Sequence, residues 1–230
     1  GTFYEDISRR DFTMNTLAVS ILKQNFGEVI DYFDGLGDIE KKIIKTPLDP
    51  KITFDDDPLR ILRAFRFASQ LSFNVHDSIL KAAEELRDRL EIVSQERITD
   101  EFLKILSSPK PSVGLKLIQS TKVMEVIFPE ISQMIGVEQR EEYHHKDVFY
   151  HTLEVLDNIS KKTENVWLRF AALVHDIAKP KTKKFIEGTG WTFHGHEEFG
   201  ARMMKSIFRR MKLPMNQLDY MEKLVRLHLR

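Results

Sequence analysis

FDDDPLRILRAFRFASQLSF, residues 54–73, reads as a helix with a defined start. Asp57 suits the N-cap, because its carboxylate can accept from a backbone N–H that has no intrahelical partner. Pro58 suits the first helical position, where a missing N–H is no loss. Leu59, Leu62, Phe65 and Phe67 supply apolar anchoring. Asp57 and Arg60 stand three apart and share a face, and Arg63 and Arg66 continue that spacing as a slanted basic stripe. An acceptor fixed beside a guanidinium fork complements cytosine and adenine, which both offer an exocyclic amine next to an unprotonated ring nitrogen. Guanine and uracil offer the reverse pattern. A good bidentate pair discriminates by about 1–3 kcal/mol where proteins read DNA grooves. A capping aspartate with an ordinary i,i+3 ion pair accounts for the same residues, and taken alone that is the commoner case.

Composition narrows the classes. The chain has 230 residues, 42% of them apolar, enough to bury a core in one large domain or two smaller ones. Lys plus Arg equals Asp plus Glu at 35 each, so any nucleic-acid contact must come from a local basic patch. The absence of cysteine excludes disulfides and thiolate metal sites and fits a reducing, cytoplasmic setting. No apolar run approaches the roughly 20 residues of a membrane span, and no signal peptide is visible. The chain opens on Gly1, and the helical pattern of Leu218, Met221, Leu224, Val225 and Leu227 stops without a cap. A fragment of a longer protein is the expectation.

Residues 1–45 read as the end of an α/β unit. Asp11 is expected to cap a helix over FTMNTLAVSILK, with Phe12, Leu17, Ile21 and Leu22 inward and Asn15 on the face of Asp11. A short strand is expected over Glu28–Phe33, and Asp34-Gly35 and Gly37-Asp38 mark turns. The Arg9-Arg10-Asp11 and Asn15 group fits a phosphate and ribose contact, or capping plus surface charge. Residues 46–56 read as a loop. Amphipathic helices follow over Ser78–Leu90 and, capped by Ser94, over Gln95–Leu106. SSPKPS at 107–112 is the clearest break, and shorter helices carry the chain to Met134.

From there histidines dominate. Six of the eight lie between residues 144 and 196, with His228 near the end. His151, His175, His196 and His228 sit on four separate helical segments, and Asp176 follows His175 directly. A lone histidine on an apolar helix is usually a core residue. Four of them with an adjacent carboxylate fit a first-row divalent metal better. Such an ion brings the pKa of bound water down towards roughly 7 and so supplies hydroxide for attack on phosphate. His194 reads as a loop residue, and His144 and His145 as rim or surface. KPKTKK at 179–184 could attract phosphate, but a solvated loop explains most of its lysines.

RRDFTMNTLA (9–18), DYFDGLGDIEKKII (31–44), DDPLRILRAFRF (56–67) and ERITDEFLKIL (96–106) resemble, in order, the motifs of class II tRNA nucleotidyltransferases. These are the CCA-adding enzymes and the related bacterial poly(A) polymerases. HTLEVLDN (151–158), RFAALVHDIAKP (169–180) and FHGHEEFGA (193–201) resemble the HD phosphohydrolase domain that many bacterial members carry. The resemblance covers essentially the whole chain. It implies a mainly α architecture with three parts: the C-terminal part of a small α/β nucleotidyltransferase head over 1–45, a helical neck and RNA-binding domain over 46–118, and a truncated all-α HD domain over 119–230.

The resemblance also implies roles. Arg10, Asp11 and Asn15 match an element that contacts the incoming nucleotide, Asp57 and Arg60 the pair that templates cytosine and adenine, and Arg63 and Arg66 further nucleotide contacts. Asp34, Gly35 and Asp38 match the element joining head to neck. Glu96, Arg97 and Glu101 match an element of structural role. The metal set would be His151, His175 and Asp176, extended by His196 and His228, with a transition metal or Mg2+ bound. The family's usual last aspartate falls beyond residue 230. The paired aspartates that bind Mg2+ for nucleotidyl transfer are absent from residues 1–230, so no catalytic residue for transfer is expected here. Asp56 stands where Glu is usual and Ala178 where Gly is usual. The implied activity is CCA addition to tRNA from CTP and ATP. Alternatives are poly(A), CC-only or A-only addition, or a metal-dependent phosphohydrolase whose neck merely binds RNA.

Overall fold

The computed structural model describes residues 1–141 and 144–229. The expected mainly helical architecture is present, with four small two-stranded sheets among the described residues. Helix α1 (Phe3–Ser8) opens with a capping box: Thr2 accepts from the Glu5 N–H, and the Glu5 carboxylate accepts from the Thr2 N–H. The helix expected from Asp11 through Lys23 does not form. A 3-10 turn at Thr13–Asn15 leads into β1 (Ala18–Val19), which pairs antiparallel with β2 (Val29–Ile30). The reason lies in the backbone donors. Thr13 N–H bonds the Lys45 carbonyl at 2.8 Å, and Asp11 spends its Oδ1 on Phe12 N–H and the Asn15 amide. Gly27, at φ +86°, turns the hairpin. Ile21 is consequently 83% exposed and Leu22 56%, rather than inward. The strand expected over 28–33 shrinks to Val29–Ile30.

Helix α2 (Gly35–Glu40) contains Asp38, which is buried and accepts from Thr13 Oγ1 at 2.7 Å. Strand β3 (Ile43–Ile44) runs parallel to β4 (Asn74–Val75). Between them the expected loop is partly helix: α3 (Pro50–Asp56) starts with Asp49 accepting from Lys51 N–H and Pro50 in the first turn. Asp57 terminates α3 instead of capping the next helix. Its Oδ1 accepts from Leu59 N–H at 3.2 Å, Pro58 and Leu59 form an entry turn, and α4 (Arg60–Leu71) follows. Leu62 and Phe65 are fully buried on α4, whereas Phe67 lies half-buried under the Arg66 guanidinium, 4.3 Å away.

Helix α5 (Asp77–Leu86) ends short of the expected Leu90; a 3-10 segment, Arg87–Ile92, carries Leu90 into the core. Helix α6 (Gln95–Leu106) precedes the break, and α7 (Pro111–Ser120), α8 (Val123–Ile127) and α9 (Pro129–Ser132) follow. Strands β5 (Glu138–Glu141) and β6 (His144–Asp147) pair antiparallel; the His144 and His145 side chains lie outside the described residues. The last part comprises α10 (Val148–Ser160), α11 (Val166–Val174), α12 (Lys179–Thr182), the hairpin β7 (Lys184–Ile186) and β8 (Gly190–Thr192), then α13 (His196–Arg210) and α14 (Leu218–Leu227).

Helix α4 is the hub: α6 and α7 pack on it, α10 packs on α7 and α11, and α13 packs on α14. One continuous apolar core runs from Phe12 to Val225. No helix among the described residues is long and apolar enough to cross a membrane.

Candidate functional site

Two constellations emerge. The first lies where α1, the end of α3 and the start of α4 meet. A cleft of about 650 Å³ there is lined by Asp6, Arg9, Arg10, Asp56 and Arg60 among others. The Arg60 guanidinium is fixed by carbonyls: Nη1 donates to Thr53 O at 3.1 Å and Nη2 to Arg9 O at 2.8 Å, with Asp56 at 3.4 Å. Asp57 is paired elsewhere, with Arg97 at 2.9 Å. Arg60 and Asp57 thus stand at neighbouring positions but are held by different partners. The sequence reading missed the pairing of Arg60 with Asp56, although the i,i+4 spacing was visible. It also missed Arg97, which reaches Asp57 from α6.

The other expected nucleotide residues separate by burial. Arg10 is exposed and near Asp6, 3.4 Å away. Asp11 is buried and receives both Nε and Nη2 of Arg63, at 2.8 and 2.6 Å, while its other oxygen takes Asn15. That pair ties the head segment to α4. Arg66 is turned away from the cleft partners, with Nε on the buried Glu101 at 2.7 Å and Nη1 on Gln70.

The second constellation gathers His151 from α10, His175 and Asp176 after α11, His196 at the start of α13 and His228 after α14. Ligand atoms of His151, His175 and Asp176 lie within 4.8 Å of one another, as do those of Asp176, His196 and His228. Helix ends aim the rings. His175 Nδ1 lies 2.8 Å from Ala172 O, His196 Nδ1 2.7 Å from Phe193 O, and His228 Nδ1 2.7 Å from Val225 O. A carbonyl can only accept, so each Nδ1 carries the proton and each Nε2 faces the centre as a potential ligand. This is the outer support that metal-binding histidines normally have.

Burial works to raise the Asp176 pKa, but hydrogen bonds from His175 and His196 and the nearby His175 and Lys179 charges win and hold it well below the usual carboxylate range. For His196 burial works downward, yet the Asp176 contact and the Phe193 carbonyl raise it. Burial dominates at His228 and lowers it. An ionised carboxylate ringed by Nε2 atoms fits a divalent cation. Lys179, whose Nζ is 2.7 Å from Asp176 Oδ2, joins the cluster, although it belongs to the KPKTKK run, most of whose lysines read as a solvated loop. His194 is exposed, as expected. On one side His175 and His228 open onto an apolar groove of about 510 Å³ that includes Val155, Ile159, Leu224 and Leu227.

Three family descriptions match this chain: "Poly A polymerase head domain" over residues 1–45, "Probable RNA and SrmB- binding site of polymerase A" over 72–135, and "HD domain" over 148–230. A multifunctional CCA protein of Shewanella frigidimarina (strain NCIMB 400) is 35% identical over 225 residues, which are 95% of this chain and 52% of that protein. The chain therefore spans about half the length of the curated relative it matches. A solved tRNA-processing enzyme in apo form I matches at a TM-score of 0.65 and 25% identity, over 100% of this chain and 55% of that one. A tRNA nucleotidyltransferase complexed with a primer tRNA and an incoming ATP analogue matches at 0.59 and 25%, over 100% and 75%. The three matched segments fall in the order of the motifs and cover most of the sequence, so this chain belongs to the family of poly(A)-polymerase-type tRNA nucleotidyltransferases, the CCA-adding enzymes among them, that carry an HD domain.

Proposed function

We propose that the chain is the nucleotide-selecting neck, RNA-binding body and HD domain of a cytoplasmic enzyme that adds CCA to tRNA 3′ ends from CTP and ATP. The observation that carries this reading is the cleft at the head–neck junction, where a guanidinium clamped by two carbonyls stands beside Asp56 and Asp57. The relatives' names, a multifunctional CCA protein and a tRNA nucleotidyltransferase with primer tRNA and an ATP analogue, supply the substrates. The tRNA 3′-hydroxyl attacks the α-phosphorus of the nucleotide, a P–O bond forms and pyrophosphate leaves. Mg2+ held on carboxylates outside residues 1–230 would stabilise the charge that develops there. In this chain Arg60 and Asp57 would read the base edge, Arg10, Asn15 and Arg63 would line the nucleotide's path, and Asp11 would hold Arg63 in place. Arg66 would contribute by fixing α4 on α6. The working division is head to residue 45, neck and RNA-binding body over 46–118, and HD domain from 119.

The test is base choice. Arg60→Ala in the complete protein is expected to weaken preference for CTP and ATP over UTP and GTP by roughly tenfold or more, as loss of one base-edge pair implies. Triphosphate affinity should change less. Unaltered base choice would remove the templating assignment. The products would also separate CCA addition from poly(A), CC-only or A-only addition.

A second activity is favoured by the histidine cluster. A divalent cation held by His151, His175, Asp176, His196 and His228 would supply a hydroxide for hydrolysis of a phosphate ester, including a 2′,3′-cyclic phosphate. The apolar groove beside His175 and His228 would receive the organic part of that ester, and Lys179 would face its charge. Phosphatase activity that persists after chelation and in His175→Ala would rule this out.

A further inference from the structure

The β7–β8 hairpin turns its rings outward. In β8, Gly190 and Thr192 are buried, while Trp191 between them is 44% exposed. Its cross-strand partner Phe185, 63% exposed, stands on the same face, and the two ring centroids are 5.3 Å apart. Lysines at every second position interleave with the rings of this region. Lys183 Nζ lies 4.5 Å from the Trp191 centroid, Lys181 Nζ 6.0 Å from that of the exposed Phe199, and Lys179 Nζ 5.5 Å from that of Phe193. Lys179 also reaches Asp176, so the series runs from the hairpin to the histidine cluster. A cavity of about 440 Å³ follows the same line, walled by Trp191, Phe193, His194, Lys179 and His196 among others. It shares no lining residue with the apolar groove beside His175 and His228.

Exposed rings, each beside an ammonium group, suit unpaired nucleotides: a base stacks on the ring while the cation meets its phosphate. Paired RNA keeps its bases stacked on one another and offers them no such contact. A bilayer surface is matched by a continuous apolar face. Here ammonium groups divide the rings, and a cavity that reaches His196 leads inward. We propose that Trp191, Phe185, Lys181, Lys183 and Lys184 hold the unpaired end of an RNA strand. The terminal nucleoside lies in the groove beside His175, and the nucleotides before it lie on the hairpin. The inference rests on the metal-dependent hydrolase reading above and deepens it: the ester is the end of an RNA strand rather than a small phosphomonoester.

The experiment uses the full chain stripped with chelator, so that binding is read without turnover. It is titrated with a single-stranded trinucleotide that carries a 3′-phosphate. Trp191 emission should be quenched, and Trp191→Phe should remove that quench, leaving Trp167 as the control fluorophore. With 4-thiouridine in the trinucleotide, ultraviolet cross-linking should label residues 181–199 in the wild type and in Trp191→Phe, which keeps a stacking ring. Labelling should fall by about tenfold or more in Trp191→Ala. Circular dichroism checks that each variant is folded, and the wild-type quench decides the matter without any variant. The nucleoside 3′-phosphate alone should bind about tenfold or more weakly than the trinucleotide, because it lacks the stacked neighbours. No quench, equal affinity for the two ligands, or a quench by phosphatidylserine vesicles in place of RNA would each overturn the proposal. Chelator-sensitive phosphatase activity that survives such a result leaves the hydrolase reading standing. Quenching by the trinucleotide in a protein without that activity removes the hydrolase reading alone.

Discussion

At the scale of the residue, the arginines of α4 show how alike side chains in one stripe come to do different things. Arg60 faces the cleft, Arg63 grips Asp11, and Arg66 is buried on Glu101, the two side chains being 13% and 4% exposed. Breaking such a buried pair by removing one partner leaves an uncompensated charge and costs about 3–5 kcal/mol. Arg66→Ala is therefore expected to lower unfolding free energy by that order in urea titration. Arg66→Met with Glu101→Leu should recover most of the loss. Arg60→Ala, whose acceptors are carbonyls at the edge of the cleft, should cost less stability and more selectivity. The stripe was legible from the i,i+3 spacing. Its division was not, because the partners Asp11, Glu101 and Arg97 come from 40 to 52 residues away for Arg97 and Asp11, and 35 for Glu101. The histidine set was legible as a set, since an apolar helix rarely carries such rings. The role of Lys179 was not, because KPKTKK reads as an exposed run until Asp176 is seen within reach.

At the scale of the element, close approach and capping decide the packing. Gly114 lets α7 lie on α4: a Cβ there would sit 2.5 Å from Ser69 Oγ and 2.9 Å from the Phe65 carbonyl. The carbonyl belongs to a helix backbone and cannot give way, so Gly114→Ala is expected to destabilise by about 1–3 kcal/mol despite its better helix propensity. Chemical denaturation measures it. Arg169 on α11 joins two other helices at their C-terminal ends. Its guanidinium donates to the Leu106 and Ser108 carbonyls at and just past the end of α6 at 2.8 Å, and to the Ser160 and Thr163 carbonyls at and just past the end of α10 at 3.1 and 2.9 Å. Lysine cannot reproduce four fixed donors. Arg169→Lys should lower stability by several kcal/mol, in line with about 1–3 kcal/mol for each buried acceptor left bare. The helices from α4 onward were readable from apolar periodicity and from stops such as SSPKPS. The segment 12–23 departs from the expected helix: its apolar spacing imitates one, while Asn25-Phe26-Gly27 carries the turn that makes a hairpin with Val29–Ile30. That hairpin shows Ile21, Phe26 and Val29 to solvent within residues 1–230, so burial gives no periodicity to read there.

At the scale of the whole molecule, head segment, neck and histidine domain share one core, and α4, α6 and α7 link the cleft to the helices that bear the histidine cluster. Metal binding should therefore stabilise the entire unit. At one hundred times the dissociation constant a bound ion adds about 2.7 kcal/mol, which for a chain of this size raises Tm by roughly 5–10 °C. Divalent cation should raise Tm by that amount in wild type and much less in Asp176→Asn, read by scanning calorimetry before and after chelation. The order of the motifs made the succession of the three matched segments readable in the sequence; the distances between them required the fold.

The measurement that bears most directly on the central claim uses the intact protein with Mg2+, tRNA lacking its 3′ end, and labelled CTP and ATP, with the products sequenced. The account predicts defined C-C-A ends on the tRNA. Long A tails, a lone A or no incorporation would contradict it.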